Sequence, residues 1–340
     1  MKRFYALLVL SCFLLTSCSA SGEPDNNCQK FSHFFFDTFD TIITLIGYTQ
    51  TQEEFTQYAS VAEAEMRRYH QIFDQYNPYE GVANVYAVNQ NAAGGAVTAE
   101  PELIDLLIMV SNWQALYGNA ANPAMGSVLS LWHNARTYGT TLPDEALLAK
   151  AADHCDYSKV HIDKDAGTIL FEDHQISLDL GAVAKGYAAQ LVAETLRKEG
   201  FSSFILNAGG NVVCGGAPMD GRSEWSVAIE DVDGSSTKVI IGAVNTSIVT
   251  SGDYQRFFTV DGKRYHHLID PQTLYPAAHM RSVTIIHPDS GLADFLSTTA
   301  FLLPYEQSRS LIESIPEAEA LWTLNDGTEV WTEGFSAMIR

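Results

Sequence analysis

The stretch that most constrains this chain of 340 residues is residues 177–187, which read S-L-D-L-G-A-V-A-K-G-Y. Alternating apolar and polar residues predict a half-buried strand over residues 174–180, and apolar positions at helical spacing predict a helix over residues 187–199. Between them, small residues let the backbone approach a ligand, and unpaired N–H groups at the helix start favour an anion. Asp179 and Lys185 stand in this turn. The alternative is a packing turn in which Asp179 is a cap and Lys185 faces solvent.

The amino terminus has the pattern of a secretory signal peptide. Lys2 and Arg3 precede an apolar run over residues 4–15, which is too short to span a membrane comfortably. The following L-T-S-C resembles a bacterial lipobox, and that resemblance implies that Cys18 becomes the lipidated, palmitate-bearing first residue of the mature chain. A secretory signal that is cut at another position is the alternative.

This interpretation divides the chain into a signal peptide over residues 1–17, a flexible polar tether over residues 18–30 and one folded domain over residues 31–340. It predicts a protein outside the cytoplasm, anchored by lipid to the bacterial cell membrane. Contact with the membrane is expected through the anchor only.

The charge balance limits the partners of this chain. It has 20 Lys and Arg against 41 Asp and Glu, a net charge of −21, so its surface repels nucleic acid and anionic lipid. A phosphorylated ligand would need locally concentrated positive charge, and a metal ion is the simplest source of it. The cysteines are widely spaced without a C-x-x-C pair, which indicates neither a zinc site nor a disulfide scaffold.

The order of predicted elements separates a helical first half from a strand-rich second half. Periodicity predicts helices over about residues 51–76, 101–117 and 143–154. From residue 160 onward, strands are predicted over residues 160–163, 168–171, 203–206, 212–213, 225–230, 238–244, 247–250, 256–260, 265–269 and 282–287, besides an early strand at 41–46.

Two histidines end one of these strands in the stretch H-H-L-I-D-P-Q-T, residues 266–273. Imidazole is the side chain best placed to accept a proton near neutral pH, and a carboxylate three residues on could orient it or a metal. His267 and Asp270 are therefore candidate catalytic residues. Paired histidines are also common as plain surface or core residues.

A second candidate lies on the helix that begins near residue 292. Asp294 and Thr298 are four residues apart, so they share one face of the helix near its start. A carboxylate and a hydroxyl are oxygen ligands suited to Mg²⁺ or Ca²⁺. The alternative is that Asp294 offsets the helix dipole while Thr298 packs.

Five motifs occur in one order along the chain: D-L-G-A-V-A-K-G-Y, L-N-A-G-G-N, T-S-G-D-Y, H-H-L-I-D-P-Q-T and A-D-F-L-S-T-T-A. Together they resemble the ApbE family, the FAD:protein FMN transferases, most densely over residues 177–300. The resemblance implies an α+β fold, related to the T-fold, with mostly antiparallel sheets and packed helices around a flavin cleft.

The resemblance also implies a set of site residues. A Mg²⁺ on the FAD pyrophosphate would be held by the backbone carbonyl of Ala182 with Asp294 and Thr298. The positions that match FAD contacts of the family are Phe39, Tyr76, Ala120, Ala121, Asn122, Asp179, Lys185 and Ile269.

Three positions depart from the family pattern. Phe39 stands in the family's Met-Gly-Thr stretch, and Leu274 stands where a glycine is usual. Ser297 replaces a second carboxylate that some members carry, which predicts weaker metal binding.

The function implied is Mg²⁺-dependent transfer of FMN from FAD to a Thr or Ser hydroxyl of an acceptor flavoprotein, such as a subunit of a membrane electron-transfer complex. His267 would be the base, with Asp270 orienting it or the substrate, and AMP would leave. The alternatives are a pyrophosphatase that converts FAD to FMN and AMP, and a flavin-binding lipoprotein without catalysis.

Overall fold

The framework of the molecule is one antiparallel sheet of eight strands. A computed structural model of the chain describes residues 27–139, 141–233 and 236–340, and all statements about the fold concern these residues. The predicted signal peptide and Cys18 lie outside them. The strands are β1 (Gln29–Thr38), β2 (Thr41–Thr49), β3 (Val97–Thr98), β4 (Val160–Asp163), β5 (Thr168–Phe171), β6 (Phe204–Ala208), β7 (Asn211–Cys214), β8 (Trp225–Glu230), β9 (Thr237–Ala243), β10 (Thr246–Gly252), β11 (Phe257–Val260), β12 (Lys263–His266), β13 (Met280–His287), β14 (Glu319–Leu324) and β15 (Glu329–Trp331).

Nine α-helices are present in the described part of the chain. They are α1 (Gln52–Phe73), α2 (Val85–Asn91), α3 (Pro101–Tyr117), α4 (Gly126–Tyr138), α5 (Glu145–Ala152), α6 (Ala184–Lys198), α7 (Ser290–Leu302), α8 (Tyr305–Glu313) and α9 (Glu333–Met338). Among the described residues, no helix combines the length and the apolar character that crossing a bilayer requires.

The strand order in the main sheet is β1-β2-β6-β7-β10-β13-β14-β15, and three small sheets pair β3-β5-β4, β8-β9 and β11-β12. Every neighbouring pair in the main sheet is antiparallel. Alternate residues of a strand face opposite sides, so β6 contributes Leu206 to one core and Ile205 to the edge of another. Together with the packed helices, this confirms the predicted α+β class.

Helices α1, α6 and α7 cover one face of the sheet and form the main core with it. Helix α1 begins where the Thr51 side chain accepts a hydrogen bond from the Glu54 N–H at 3.2 Å. Its buried stripe includes Phe55 and Met66, as periodicity predicted. All thirteen residues of α7 are buried because α6 packs on one side of it and strands β10 and β13 on the other.

Two smaller cores complete the molecule. The hairpin β8–β9 and α9 cover the opposite face of the sheet, around Trp225, Ile241 and Phe335. Helices α4 and α5 pack with Trp132 and Ile269 beside the hairpin β11–β12. Helix α4 was not predicted from the sequence, and neither were α8, β14, β15 and α9.

The predicted strand over residues 174–180 is wrong. Within it, only Ser177 forms an isolated bridge, with Met125. The backbone N–H of Leu178 donates to Asn89 Oδ1 at 2.7 Å, and that of Asp179 donates to Pro123 O at 2.8 Å. Loop partners therefore satisfy donors that a strand would give to a ladder. At the amino terminus, β1 already begins at Gln29, inside the predicted tether.

Candidate active site

The inner wall of the site lies where the start of α6 packs against α7. It is formed by Ala182, Gly186, Asp294 and Thr298. The N–H of Gly186 donates to Asp294 Oδ2 at 2.8 Å. A β-carbon on Gly186 would lie 2.3 Å from the Ser290 carbonyl oxygen and 2.5 Å from Asp294 Cβ. Glycine is therefore required here, because any side chain would separate the two helices.

This hydrogen bond uses a donor of the first turn of α6. Gly186 is the third residue of the helix, so its N–H is one of the four at a helix start that have no acceptor within the helix. Ala182 lies before the N-cap residue Val183, and its carbonyl accepts no hydrogen bond from any described residue. The loop that leads into α6 thus offers a carbonyl oxygen four residues before the N–H that contacts Asp294.

Thr298 follows Asp294 by one helical turn and is also buried. Its Oγ1 lies 3.5 Å from Ser251 Oγ, at the long limit of a hydrogen bond. Ser297 makes shorter contacts, with Ser251 Oγ at 2.8 Å and with the Asp294 carbonyl oxygen at 2.9 Å. The Ser297 hydroxyl is thus used within the protein, whereas that of Thr298 is held loosely.

The Asp294 side chain is in an unfavourable place for an isolated negative charge. It is 4% exposed, and burial raises its pKa above the usual range, against an opposing contribution from Lys185. A cation beside it would favour the ionised form. The described residues contain no group of three or more His, Cys, Asp or Glu that could hold a metal. The inner wall offers instead one carboxylate, one hydroxyl and one carbonyl, a donor set of hard oxygens that fits Mg²⁺.

His267 lies just beyond the end of β12. Its backbone N–H donates to the Arg256 carbonyl at 3.1 Å, and its Nδ1 lies 3.2 Å from the same oxygen. A carbonyl accepts only, so the proton is on Nδ1 and the lone pair is on Nε2. Burial, followed by the charges of Arg256 and Lys185, lowers the pKa of His267 to about 3. At neutral pH the ring is therefore a neutral proton acceptor.

The neighbouring His266 has a structural role. It is 9% exposed, its Nε2 lies 2.9 Å from the Ala277 carbonyl oxygen, and its Nδ1 accepts from the Leu268 N–H at 3.2 Å. Both ring nitrogens are thus used inside the protein. Of the two histidines, His267 is the one with a nitrogen left for a substrate.

Asp270 does not contact His267 among the hydrogen bonds of the described residues. Its carboxylate accepts from the Gln272 N–H at 2.8 Å and from the Thr273 hydroxyl at 3.3 Å, which closes its own turn. The hydrogen bond that orients His267 comes from the Arg256 carbonyl instead, a partner that the sequence did not indicate. In the same turn, Leu274 takes φ of +61°, the left-handed conformation that the glycine usual here would adopt easily.

The outer rim of the site is built from loops and from one face of α4; its residues are Phe39, Asp40, Tyr76, His133, Arg136 and Arg256. The Tyr76 ring stacks on that of His133 with centroids 4.9 Å apart, and it is 53% exposed. The Phe39 carbonyl accepts from Arg256 Nη2 at 3.4 Å. Beside the rim, Asp179 accepts from Gln75 Nε2 at 2.7 Å and from the Gly181 N–H at 2.8 Å.

Sequence reasoning missed the cations of this site other than Lys185. Arg136, Arg256 and Lys185 all act electrostatically on His267. Arg136 was in a helix that was not predicted, and Arg256 follows the T-S-G-D-Y motif without belonging to it. No local signal singled them out, because only the fold brings α4 and the loop after β10 together.

Some predicted flavin contacts cannot act through their side chains. Ala121 and Ile269 are each 3% exposed and packed in cores. The Asn122 amide donates to the Cys155 carbonyl at 2.7 Å and accepts from the Ala124 N–H at 2.9 Å. Ala120 lines a cavity of about 390 Å³ together with Asn122, Asp270 and Thr299.

Comparison with known proteins identifies relatives of this fold and site. The model of the ApbE family matches residues 39–322. A protein of Treponema pallidum named FAD:protein FMN transferase is 36% identical over 257 residues, which cover 71% of this chain and 70% of that protein. One of Klebsiella pneumoniae with the same name is 29% identical over 244 residues, covering 71% and 74%.

Solved structures of ApbE proteins share the fold of this chain. The crystal structure of the ApbE protein of Thermotoga maritima matches 92% of this chain and all of its own, with a TM-score of 0.83 and 28% identity. The flavin transferase ApbE of Vibrio cholerae matches 92% and 99%, with a TM-score of 0.78 and 21% identity, which supports the fold alone.

Proposed function

The chain belongs to the ApbE family, and on that premise we propose that it transfers FMN from FAD to a Thr or Ser hydroxyl of an acceptor flavoprotein, releasing AMP. The observation that carries the proposal is His267. It is a neutral imidazole with a free Nε2, surrounded by cations in a chain whose net charge is −21. A bound diphosphate would offset those cations and raise the pKa of His267 toward neutral pH, where a general base acts best.

The reaction needs a proton acceptor and an electrostatic site for a diphosphate. His267 Nε2 takes the proton of the acceptor hydroxyl as its oxygen forms a bond to the FMN-side phosphorus. The bond from that phosphorus to the bridging oxygen breaks, and AMP leaves with the electron pair. The Arg256 carbonyl holds the Nδ1–H, which keeps the imidazole in the required tautomer.

The inner wall supports a Mg²⁺ site held by the Ala182 carbonyl, Asp294 and Thr298. The support is twofold: the Ala182 carbonyl accepts no hydrogen bond from a described residue, and the buried Asp294 carboxylate has no ion-pair partner among the described residues. When bound, Mg²⁺ would offset negative charge on the diphosphate and on the leaving AMP.

The proposal includes the cellular setting that the sequence suggests. Cys18 would carry the lipid that anchors the mature chain to the outer surface of the bacterial cell membrane. An acceptor in a membrane electron-transfer complex would then lie within reach of the tether.

The test is the intact mass of a purified acceptor flavoprotein domain after incubation with the chain, FAD and Mg²⁺. A gain equal to one attached FMN, absent when a chelator is added, is the expected result. Release of FMN and AMP without a mass gain would support a pyrophosphatase instead. FAD that is bound and recovered unchanged would support a flavin-binding protein.

A further inference from the structure

The two arginines of the outer rim, Arg136 and Arg256, lie outside all five sequence motifs. Cations are scarce in this chain, with 20 Lys and Arg against 41 Asp and Glu. Even so, Arg136, Arg256 and Lys185 lie within electrostatic reach of one imidazole, that of His267. Such a concentration of like charge is unfavourable unless an anion offsets it.

The charge of Arg136 is not paired with a carboxylate of the described residues. It is half-buried, and its hydrogen bond among the described residues is to His133 Nδ1 at 3.2 Å. No described carboxylate lies within ion-pair distance of it. Burial, followed by the charge of Arg256, lowers its pKa below the usual range. Asp179 and Asp40 act on it in the opposite sense from beyond ion-pair distance, so this partly desolvated guanidinium has no paired anion among the described residues.

The Arg256 guanidinium makes contacts through its Nη2 atom, and its other N–H groups have no acceptor among the described residues, so they remain available as donors. Its Nη2 donates to the Phe39 carbonyl at 3.4 Å and lies 4.0 Å from an oxygen of the exposed Asp40. Its own carbonyl orients His267. The backbone of Arg256 therefore lies at the base, and its guanidinium makes only long contacts with the described residues, which leave it available to a ligand.

The positions of the cations separate two parts of the site. Lys185 precedes Gly186, whose N–H donates to Asp294 on the inner wall at 2.8 Å, whereas the Arg256 carbonyl oxygen lies 3.2 Å from His267 Nδ1. The phosphate that receives the attacking hydroxyl must lie beside His267, because the base has to reach that hydroxyl. The leaving phosphate then extends toward the inner wall.

We propose that Arg136 and Arg256 bind the FMN-side phosphate of FAD, the one that is transferred. This inference rests on the proposed function. The guanidinium N–H groups donate to the non-bridging oxygens of that phosphate while the acceptor oxygen bonds to phosphorus, the hydroxyl proton passes to His267 Nε2, and AMP leaves with the bridging electron pair. Paired guanidinium groups match phosphate oxygens in charge and geometry.

The experiment measures the affinities of FMN, riboflavin and AMP for the purified chain by isothermal titration calorimetry. It compares the parent, Arg136→Gln and Arg256→Gln with Arg309→Gln, a matched control on α8 whose arginine pairs with Glu313. FMN should bind about tenfold to a hundredfold more weakly to both rim variants. Riboflavin, which lacks the phosphate, and AMP should bind all four proteins equally.

Three results would overturn the inference: unchanged FMN affinity in both rim variants, an equal loss for riboflavin, or a loss for AMP without one for FMN. Arg136→Lys keeps the charge, so partial recovery of FMN affinity in it would support a phosphate contact even if Arg136→Gln folds poorly. If the parent binds FAD but does not flavinylate the acceptor, the proposed function is contradicted. The FMN affinities of the parent and the rim variants would still test whether the two arginines bind the phosphate.

Discussion

The inner wall of the site is buried, whereas its outer rim is open. Asp294 is 4% exposed and Thr298 7%, on a helix in which every residue is buried. Tyr76 on the rim is 53% exposed, and Phe39 and Asp40 take φ of +54° and +51° in an irregular turn. One half of the site is part of the core, and the other is a set of loops attached to it.

The difference matches what the proposed reaction asks of each half. A metal site needs oxygens held at constant positions, and packing between α6 and α7 provides that rigidity. A rim that admits FAD and then a protein hydroxyl has to be accessible, and loops on a rigid scaffold usually carry such contacts. We therefore expect changes in the wall to affect both chemistry and stability, and changes in the rim to affect binding.

The largest effect is expected from Asp294→Ala, which removes the only carboxylate of the proposed metal site. Because a bound metal contributes several kcal/mol to transition-state stabilisation, the FMN transfer rate should fall by at least about a thousandfold. Chelator should bring the parent to the same low rate and leave the variant unchanged.

The matched control for that change is Asp289→Ala, which removes an acid that caps the same helix by accepting from the Leu292 N–H at 3.0 Å. It should lower stability by about 1 kcal/mol and keep metal-dependent transfer. Metal-dependent transfer in Asp294→Ala would show that the inner wall does not hold the metal.

The second effect is expected from His267→Ala, at the boundary between wall and rim. Loss of a general base usually lowers the rate by about a hundredfold to ten-thousandfold. FAD affinity, measured by flavin fluorescence, should change little, because the base acts on the acceptor hydroxyl. An undiminished transfer rate would exclude His267 as the base.

A smaller effect, on stability, is expected from Gly186→Ala in the wall. The new methyl group would lie 2.3 Å from the Ser290 carbonyl oxygen, so α6 and α7 must separate. Overpacking of this kind costs about 1–3 kcal/mol, measurable by urea unfolding. In the control Gly94→Ala, the nearest atom would be at an ordinary 3.5 Å. Equal stability of the two variants would mean that the wall is less rigid than its packing indicates.

The smallest effect is expected in the loop beside the rim, at Leu274. Its φ of +61° is unfavourable for any residue with a β-carbon. Leu274→Gly should therefore be more stable than Leu274→Ala by about 1 kcal/mol, although glycine is usually the less stable of the two. The free energy of unfolding of both variants tests this. If Leu274→Ala were the more stable variant, residue 274 would not have the left-handed conformation.

Much of the fold could be predicted from the sequence because its signals are local. The stripe of α1, the full extent of α3 and the hairpin β4–β5 follow from periodicity and turn residues within a few positions. The alternation over residues 174–180 was misleading because the conformation there depends on residues far away in the sequence. Its backbone donors found partners in distant loops, which periodicity does not record.

The sequence by itself determined the α+β class and the family, and it suggested most of the residues that we propose for the chemistry. Tertiary structure alone decided how they are used. Gly186 and Asp294 are 108 residues apart, yet their hydrogen bond places the start of α6 against the carboxylate on α7. Arg136, Arg256 and His267 come from separate elements, yet burial and then the charges of the two arginines lower the pKa of the imidazole. Electrostatic effects depend on distance and burial in space, and these are settled only when the chain has packed.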